Sequence, residues 1–337
     1  MKKILIKAFK GKDLEENDIE KVIKGIELGT INKAQVAALL GSASTKKGGV
    51  SAKEVFYFAN CLKKFSKKIK LHHKKGLIDL CGTGGDCLNT FNISSAVSLV
   101  AASFDIGVVK HGAKSVSSKC GSADVLAELK INSLIDEKEL QKSLDKTNFA
   151  FLNAPDFNSI MAKIKSIRNE IGVPTVFNLL GPLLNPVDLD YQLVGVYDKS
   201  KCITMIEVLK KTNIKSAMVV HSDDGLDELS TTSANTIYHL KNGVIEKIEL
   251  PKLSYLGLKP ASIEDIQGKD VKTNASIIVD ILEGKKGPKR DIVLLNAAAA
   301  LVCANIAPDF KIGVEKAKQA IDSKSALRVL RRLQGCF

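Results

Sequence analysis

The run Asp79-Leu80-Cys81-Gly82-Thr83-Gly84-Gly85-Asp86 constrains this chain more than any other stretch. Gly76-Leu77-Ile78-Asp79-Leu80 before it reads as a short buried strand. Cys87-Leu88-Asn89-Thr90-Phe91-Asn92-Ile93-Ser94-Ser95 follows and leads into the apolar run from Ala96 to Ala102. The order is strand, glycine-rich loop, polar capping residues, helix. Glycines lack the Cβ that keeps backbone N–H groups from closing on an anion. Ser94 or Ser95 is expected to cap a helix whose positive N-terminal end favours negative charge. The chemistry implied is phosphate or pyrophosphate binding. No Gly-Lys-Ser/Thr follows the loop, and Gly-x-Gly-x-x-Gly is absent, so neither the Walker A loop nor the dinucleotide fingerprint is present. A tight strand-to-helix turn would also use glycines. It would not need Asp86 beside an anion nest, whereas a site for a metal and a phosphate can use that acid.

Alternation of strands and helices sets the fold class. From residue 76 onward, strands are expected at Ile106 to Val109, Ala150 to Leu152, Tyr191 to Val196 and Ser216 to His221, with a final pair at Ile237 to Leu240 and Ile245 to Leu250. Helices are expected at Lys201 to Lys210, Ala275 to Leu282, Arg290 to Ile306 and Val314 to Leu333. That pattern predicts an α/β domain with a mostly parallel central sheet. Before residue 76 the spacing is helical: Ile19, Val22, Ile23 and Ile26 share a face, as do Val36, Leu39 and Leu40. Ser51 caps a helix from Ala52 to Lys63, with Glu54 at the capping-box position. The expected organisation is a small helical N-terminal domain over residues 1–70, with a return segment over 158–186. A larger α/β domain covers 71–157 and 187–337 and takes its ligand at the carboxyl ends of the sheet.

Three further constellations carry chemistry. Lys110-His111-Gly112-Ala113-Lys114-Ser115-Val116-Ser117-Ser118 follows a strand and runs on to Ser122. Its hydroxyls, ammonium groups and N–H groups suit an anion clamp. Asp227-Glu228, also just after a strand, can supply carboxylates to Mg²⁺, which takes few of them and fills its shell with phosphate and water. Arg168 precedes Pro174-Thr175-Val176-Phe177-Asn178 and the run to Pro186, whose Pro and Asn content predicts a fixed, non-helical turn.

Composition narrows the function classes. The formal charge is +13, and its densest cluster, Lys63 to Lys75, reads as a solvated helix end. No Trp and 5% aromatics argue against an aromatic stacking surface for nucleic acid. Seven cysteines lack any Cys-x-x-Cys pair, so zinc is not indicated and reduced thiols are expected. Ile292 to Ile306 is too short to span a membrane and contains Asn296 and Asn305. Met1 to Lys7 is a poor signal peptide, and a cytoplasmic location is expected.

Together the four runs resemble anthranilate phosphoribosyltransferase, a likeness that extends over nearly the whole chain. Its carriers are the Gly-Thr-Gly-Gly-Asp loop, Asn92-Ile93-Ser94-Ser95, Lys110-His111-Gly112 and Leu226-Asp227-Glu228, in that order. The resemblance implies a helical domain plus an α/β domain, a homodimer formed through the helical domain, and Mg²⁺-dependent transfer of phosphoribose from phosphoribosyl pyrophosphate to anthranilate in tryptophan synthesis. It implies that Gly82, Thr83, Gly84, Gly85, Asp86, Thr90, Asn92, Ile93, Ser94 and Ser95 hold the donor. Lys110, His111, Gly112, Ala113, Lys114, Ser115, Val116, Ser117, Ser118 and Ser122 would close on it. Ser94, Asp227 and Glu228 would hold Mg²⁺, Arg168 would face the acceptor carboxylate, and Lys110 and Asp86 would serve catalysis.

The chain departs from the family pattern at four places. Ser95 stands for Thr, Ala113 for the Asn that helps bind anthranilate, Lys114 for Arg, and Asn158 for a His in the helix before Arg168. The donor side is intact and the acceptor side has lost polar groups. The competing readings are a paralogue with another aromatic acceptor, a nucleoside phosphorylase of related fold, and a non-catalytic relative binding nucleic acid through its charge. The retained Gly-Thr-Gly-Gly-Asp loop opposes the last two.

Overall fold

The structure is a computed structural model and describes residues 1–86, 88–114 and 120–335. The chain divides into two compact units, residues 1–69 with 154–186 and residues 70–153 with 187–337.

The first unit is helical. Helices Lys2–Phe9, Glu16–Glu27, Lys33–Ser44 and Ala52–Lys64 bury the faces that carry Ile19, Val22, Ile23, Val36, Leu39, Leu40 and Phe58. The Ser51 cap forms as its sequence predicts: Ser51 Oγ accepts from Glu54 N at 3.3 Å, and Glu54 returns the bond to Ser51 N at 3.4 Å. Glu54 is buried and also accepts from Leu14 N at 2.9 Å and pairs with Lys46, so the cap ties three segments together. Helix Ser159–Ile171 completes this unit.

The segment after Arg168 corrects one expectation. In place of a non-helical turn, Thr175 caps a helix at Val176–Leu180, and a 3₁₀ turn continues over Gly181–Leu184. Pro174 lies before the cap, and Pro182 lies at the start of the 3₁₀ turn, where a missing N–H costs no helical bond. Val176, Phe177, Leu179 and Leu180 are buried, which outweighs the turn-like composition.

The second unit holds a seven-stranded sheet: β1 Leu77–Gly82, β2 Gly107–Gly112, β3 Phe149–Asn153, β4 Tyr191–Gly195, β5 Ser216–Ser222, β6 Asn235–Lys241 and β7 Val244–Ile248. The order is β3-β2-β1-β4-β5-β6-β7, parallel from β3 to β5 and antiparallel at β6 and β7. Asn242 and Gly243, both at positive φ, make the tight turn into β7. Helix Pro288–Cys303 is buried on all sides from Ile292 to Cys303 and packs on helix Ile93–Ala102. An alanine-rich helix apolar all round belongs at the centre of such a layer.

The winding reverses between β1 and β4. From β1 the chain builds outward through β2 to β3, and from β4 it builds the other way through β5. Gly82 pairs with Gly195 at their carboxyl ends. In open α/β sheets that reversal is where ligands bind.

The remaining differences are local. The single helix expected from Val314 to Leu333 is two, Phe310–Asp322 and Ser325–Gln334, broken by Lys324 at φ 63°. Neither Gly nor Pro marks that break. Helices Lys2–Phe9, Ser122–Glu128 and Glu137–Thr147 are absent from the sequence-based expectation. Among the described residues no helix is long and apolar enough to cross a membrane.

Candidate functional site

The glycine loop leaves β1 at Gly82 and is held from one side by the acid pair. Gly84 N donates to Asp227 Oδ2 at 2.7 Å, and Thr83 N donates to Gly195 O at 2.9 Å. A Cβ on Gly82 would lie 2.1 Å from Asp227 Oδ2, and one on Gly195 would lie 1.5 Å from Asp227 O. Both glycines therefore leave room for Asp227. Gly84 and Gly85 have φ of +66° and +92°, the left-handed region that favours glycine. Among the described residues nothing lies within 4 Å of where a Cβ on Gly84 would be, so that face of the loop is open on their side.

Asp227 and Glu228 each keep part of their surface open to solvent, while their carboxyl groups are set deep among densely packed atoms. Burial raises the Asp227 carboxyl above its usual range, opposed by the Gly84 N–H. Glu228 is pushed up to about 8 by burial, with the charges of Asp227 and Asp86 adding to the effect; Lys110 and the Ser94 backbone N–H oppose it. Two adjacent carboxylates so enclosed hold protons tightly unless a cation balances them. Hard oxygen donors of this kind fit Mg²⁺. Among the described residues no group of three or more His, Cys, Asp or Glu forms a closed protein cage.

Lys110 on β2 lies beneath this layer. It is 1% exposed, and its Nζ donates to Leu80 O at 2.9 Å and Ser94 Oγ at 3.2 Å. Burial lowers its pKa, while the charges of Asp79, Cys81 and Glu228 raise it. The ammonium expected to serve catalysis is thus held against Ser94, one of the residues expected at the metal and donor. Asp79, also buried, accepts from His111 N at 3.2 Å.

The helix after the loop differs from expectation at its cap. Asn92, not Ser94 or Ser95, is the N-cap of Ile93–Ala102, and it makes no side-chain capping bond. Its side chain is committed elsewhere, accepting from Asn274 Nδ2 at 3.1 Å and donating to Cys120 O at 3.4 Å. Ser94 and Ser95 lie within the first turn, and Ser95 Oγ is buried without a hydrogen-bond partner among the described residues. Thr90 forms an isolated bridge with Gln267.

Gly112, Ala113 and Ser122 are brought together. A Cβ on Gly112 would lie 2.2 Å from Ser122 Oγ, and Ala123 N donates to Ala113 O at 3.3 Å. Lys114 is exposed. Ser115, Val116, Ser117 and Ser118 lie outside the described residues.

Two expected acceptor residues belong to the helical unit. Arg168 is half-buried, burial lowers its pKa, and its guanidinium has no hydrogen bond or ion pair among the described residues. Asn158 is not within the helix before Arg168 but caps it. Its Oδ1 accepts from Met161 N at 3.2 Å, and its Nδ2 donates to Ser66 Oγ at 2.7 Å and Leu62 O at 3.3 Å. It is 3% exposed, so its polar atoms serve the fold.

Sequence reasoning did not single out Asp79 or Gly195, which the structure sets against His111 N and Asp227 O. An acid inside an apolar strand was the signal for Asp79. Nothing local marks Gly195.

A helical bundle together with a mainly parallel sheet that carries a glycine loop and enclosed acids at its reversal point defines a class of glycosyl transferase. Residues 2–66 match the family described as "Glycosyl transferase family, helical bundle domain", and residues 74–327 match "Glycosyl transferase family, a/b domain". An anthranilate phosphoribosyltransferase of Clostridium beijerinckii is 41% identical over 321 residues, covering 95% of this chain and 94% of its own length. The crystal structure of anthranilate phosphoribosyltransferase from Thermus thermophilus is similar at 31% identity and a TM-score of 0.90, covering 99% of this chain and 98% of that one. The enzyme of that name from Saccharomyces cerevisiae, solved in complex with PRPP and Mg, is similar at 26% identity and a TM-score of 0.85, covering 95% and 92%. The chain belongs to the anthranilate phosphoribosyltransferase family.

Proposed function

We propose that this protein transfers phosphoribose from phosphoribosyl pyrophosphate to the amino group of anthranilate, releasing pyrophosphate, with Mg²⁺ bound by the donor and the Asp227-Glu228 pair. The observation that carries this is the deep-set acid pair clasped to the Gly84 amide beside an open glycine loop. The loop from Gly82 to Asp86, with Thr90, Asn92, Ile93, Ser94 and Ser95, would hold the donor. Lys110 to Lys114, the residues that follow them and Ser122 would close on it.

The amine nitrogen forms its bond to ribose C1 as the C1–O bond to pyrophosphate breaks, and the nitrogen then loses one proton. An aryl amine needs no strong base for this step. Mg²⁺, when bound, supplies positive charge to the departing pyrophosphate. Asp227, Glu228 and Ser94 would fix that charge in place, with Asp86 at the loop tip adding a further oxygen. Lys110 holds Ser94 from beneath and offsets the acids. Catalysis then rests on positioning and on charge arranged in advance.

Arg168, half-buried and unpaired among the described residues, supports an acceptor that carries a carboxylate. Ala113 and the fully engaged Asn158 support a second reading, a related carboxylated aromatic acceptor bound with fewer polar contacts. Exposed Ile6 and Phe9 on helix Lys2–Phe9 support a homodimer formed through the helical unit, testable by sedimentation. A cytoplasmic location belongs to the same reading, as the compartment that suits an enzyme of amino-acid synthesis. Loss of anthranilate fluorescence on mixing the protein with phosphoribosyl pyrophosphate and Mg²⁺ tests the assignment.

A further inference from the structure

The acid pair sits on a loop closed by both backbone and side-chain bonds. Asp223 N donates to Ala234 O at 2.9 Å, Gly225 N to Ser222 O at 2.8 Å, and Ser222 N to Leu226 O at 3.2 Å. Asn235 adds side-chain bonds, accepting from Ser230 N at 2.7 Å and donating to Ser230 O at 2.9 Å, but the bonds that join the two ends of the loop centre on one carboxylate. Asp224 Oδ1 accepts from Ser222 Oγ at 2.5 Å and from Leu226 N at 3.3 Å. Its Oδ2 accepts from Ser230 Oγ at 3.1 Å and from Thr232 Oγ1. Asp224 N donates to Ser233 Oγ at 3.1 Å, and Ser233 Oγ lies 2.7 Å from Ser222 Oγ. One side chain therefore gathers the residues on both sides of Asp227-Glu228.

Beyond the pair, the loop is pinned a second time. Asn296 Oδ1 accepts from Leu229 N at 2.9 Å, and Asn296 Nδ2 donates to Leu229 O at 2.7 Å. Leu226 and Leu229 are fully buried and flank the two acids in sequence. Asp227 has little latitude between these anchors, because its backbone oxygen lies where a Cβ of Gly195 would be. A shift of the loop by a fraction of an ångström would open the 2.7 Å bond to Gly84.

We propose that Asp224 is a positioning residue for the reaction: its carboxylate draws Ser222, Leu226, Ser230 and Thr232 together and so sets Asp227 against the Gly84 amide and Glu228 against Ser94. This rests on the reading of Asp227-Glu228 as the metal-binding pair. Asp224 is not itself a ligand. Its oxygens are filled by hydroxyl and amide donors, which leave them facing the loop's own interior. Four donors to one carboxylate make a rigid centre, since a bond to a charged acceptor is stronger than one between neutral groups.

The test is hydrogen exchange at the Gly84 amide in full-length protein without added metal, for wild type, Asp224→Ala and Asp227→Ala. Asp224→Ala and Asp227→Ala should each speed exchange at Gly84 about tenfold, while β3 and helix Pro288–Cys303 exchange as in wild type. In the same proteins, the Mg²⁺ concentration at the midpoint of phosphoribosyl pyrophosphate binding, read by calorimetry, should rise about tenfold for Asp224→Ala. Asp224→Asn, which keeps one acceptor oxygen, should recover part of both effects. Wild-type exchange at Gly84 in a folded Asp224→Ala protein overturns the proposal. So does faster exchange spread evenly over the sheet, which marks a residue serving stability alone. If Asp224→Ala does not fold, Thr232→Val should give a smaller change confined to Gly84, and no change or an even one overturns the proposal. Wild-type donor binding indifferent to Mg²⁺ would refute the metal reading, while exchange at Gly84 would still decide the positioning role.

Discussion

Gly195→Ala should disable donor binding without any contact to donor. The new Cβ would lie 1.5 Å from Asp227 O and 2.4 Å from its carbonyl carbon, whereas ordinary contact begins at 3.4 Å. These are backbone atoms, so no side-chain rotation relieves the clash. The acid loop or β4 must give way by nearly 2 Å, taking 3.4 Å as the target. That displacement breaks the 2.7 Å bond between Gly84 N and Asp227. A hydrogen bond to a charged group contributes about 1.5–3 kcal/mol. At about 1.4 kcal/mol per tenfold, Mg²⁺-dependent donor affinity should fall on the order of ten- to a hundredfold. Overpacking adds a stability cost of about 1–3 kcal/mol. Gly243→Ala, in the turn into β7, is the matched control: its Cβ meets nothing within 4 Å among the described residues, and only the left-handed φ is strained, at about 1–2 kcal/mol. The assay is calorimetric titration of phosphoribosyl pyrophosphate with Mg²⁺ into each folded variant, beside its melting curve. Gly195→Ala that binds the donor as well as wild type does would refute the claim that this glycine exists to admit Asp227.

Other perturbations follow from the same geometry. Gly84→Val should block donor binding in a folded protein, because its larger side chain fills the open face of the loop; unchanged affinity would count against that. Replacing Asp227 and Glu228 together by Ala should abolish turnover, yet leave the apo protein at least as heat-stable, since both acids are raised by burial. Glu228 stands at about 8 in the folded chain against an ordinary 4.5, so the folded state holds the extra proton between those values. Apo stability should therefore fall as pH rises from about 4.5 to 8 and level off above, with the slope reduced in Glu228→Gln; thermal melts across that range check it. Arg168→Ala should harm anthranilate use more than any change at Ala113, and Ala113→Asn should improve it, as read by KM for anthranilate. Despite the charge of +13, specific DNA binding with a steep salt dependence is not expected, and a gel-shift series at rising salt checks this.

Much of this architecture is legible in the sequence because local chemistry and global fold agree. Strand, glycine loop and helix from Leu77 to Ala102 follow from residue type alone, as does the Ser51–Glu54 cap. The break at Lys324 is not legible, since a lysine in the left-handed region follows from the packing of two helices and not from its own preference. The helix at Val176–Leu180 hid behind Pro and Asn, which mark turns on average but here stand at caps. The site was legible where it is made of motifs and opaque where it depends on approach between distant segments. Asp227 reaches Gly84 across 143 residues, and Gly195 has a reason to be glycine only once that contact is known. Asn158 shows the reverse case: the family pattern marks it as an altered acceptor residue, and only the structure adds the three hydrogen bonds that make it a helix cap.

The decisive measurement is the rate of anthranilate fluorescence loss with phosphoribosyl pyrophosphate, with and without Mg²⁺, for wild type and for Asp227→Asn with Glu228→Gln. Wild type should consume anthranilate only when donor and Mg²⁺ are both present, and the double variant should be inactive while keeping its fold. Wild type that binds the donor but never consumes anthranilate, or a double variant that turns over at ordinary Mg²⁺, would contradict the assignment of acceptor or of acid pair, respectively.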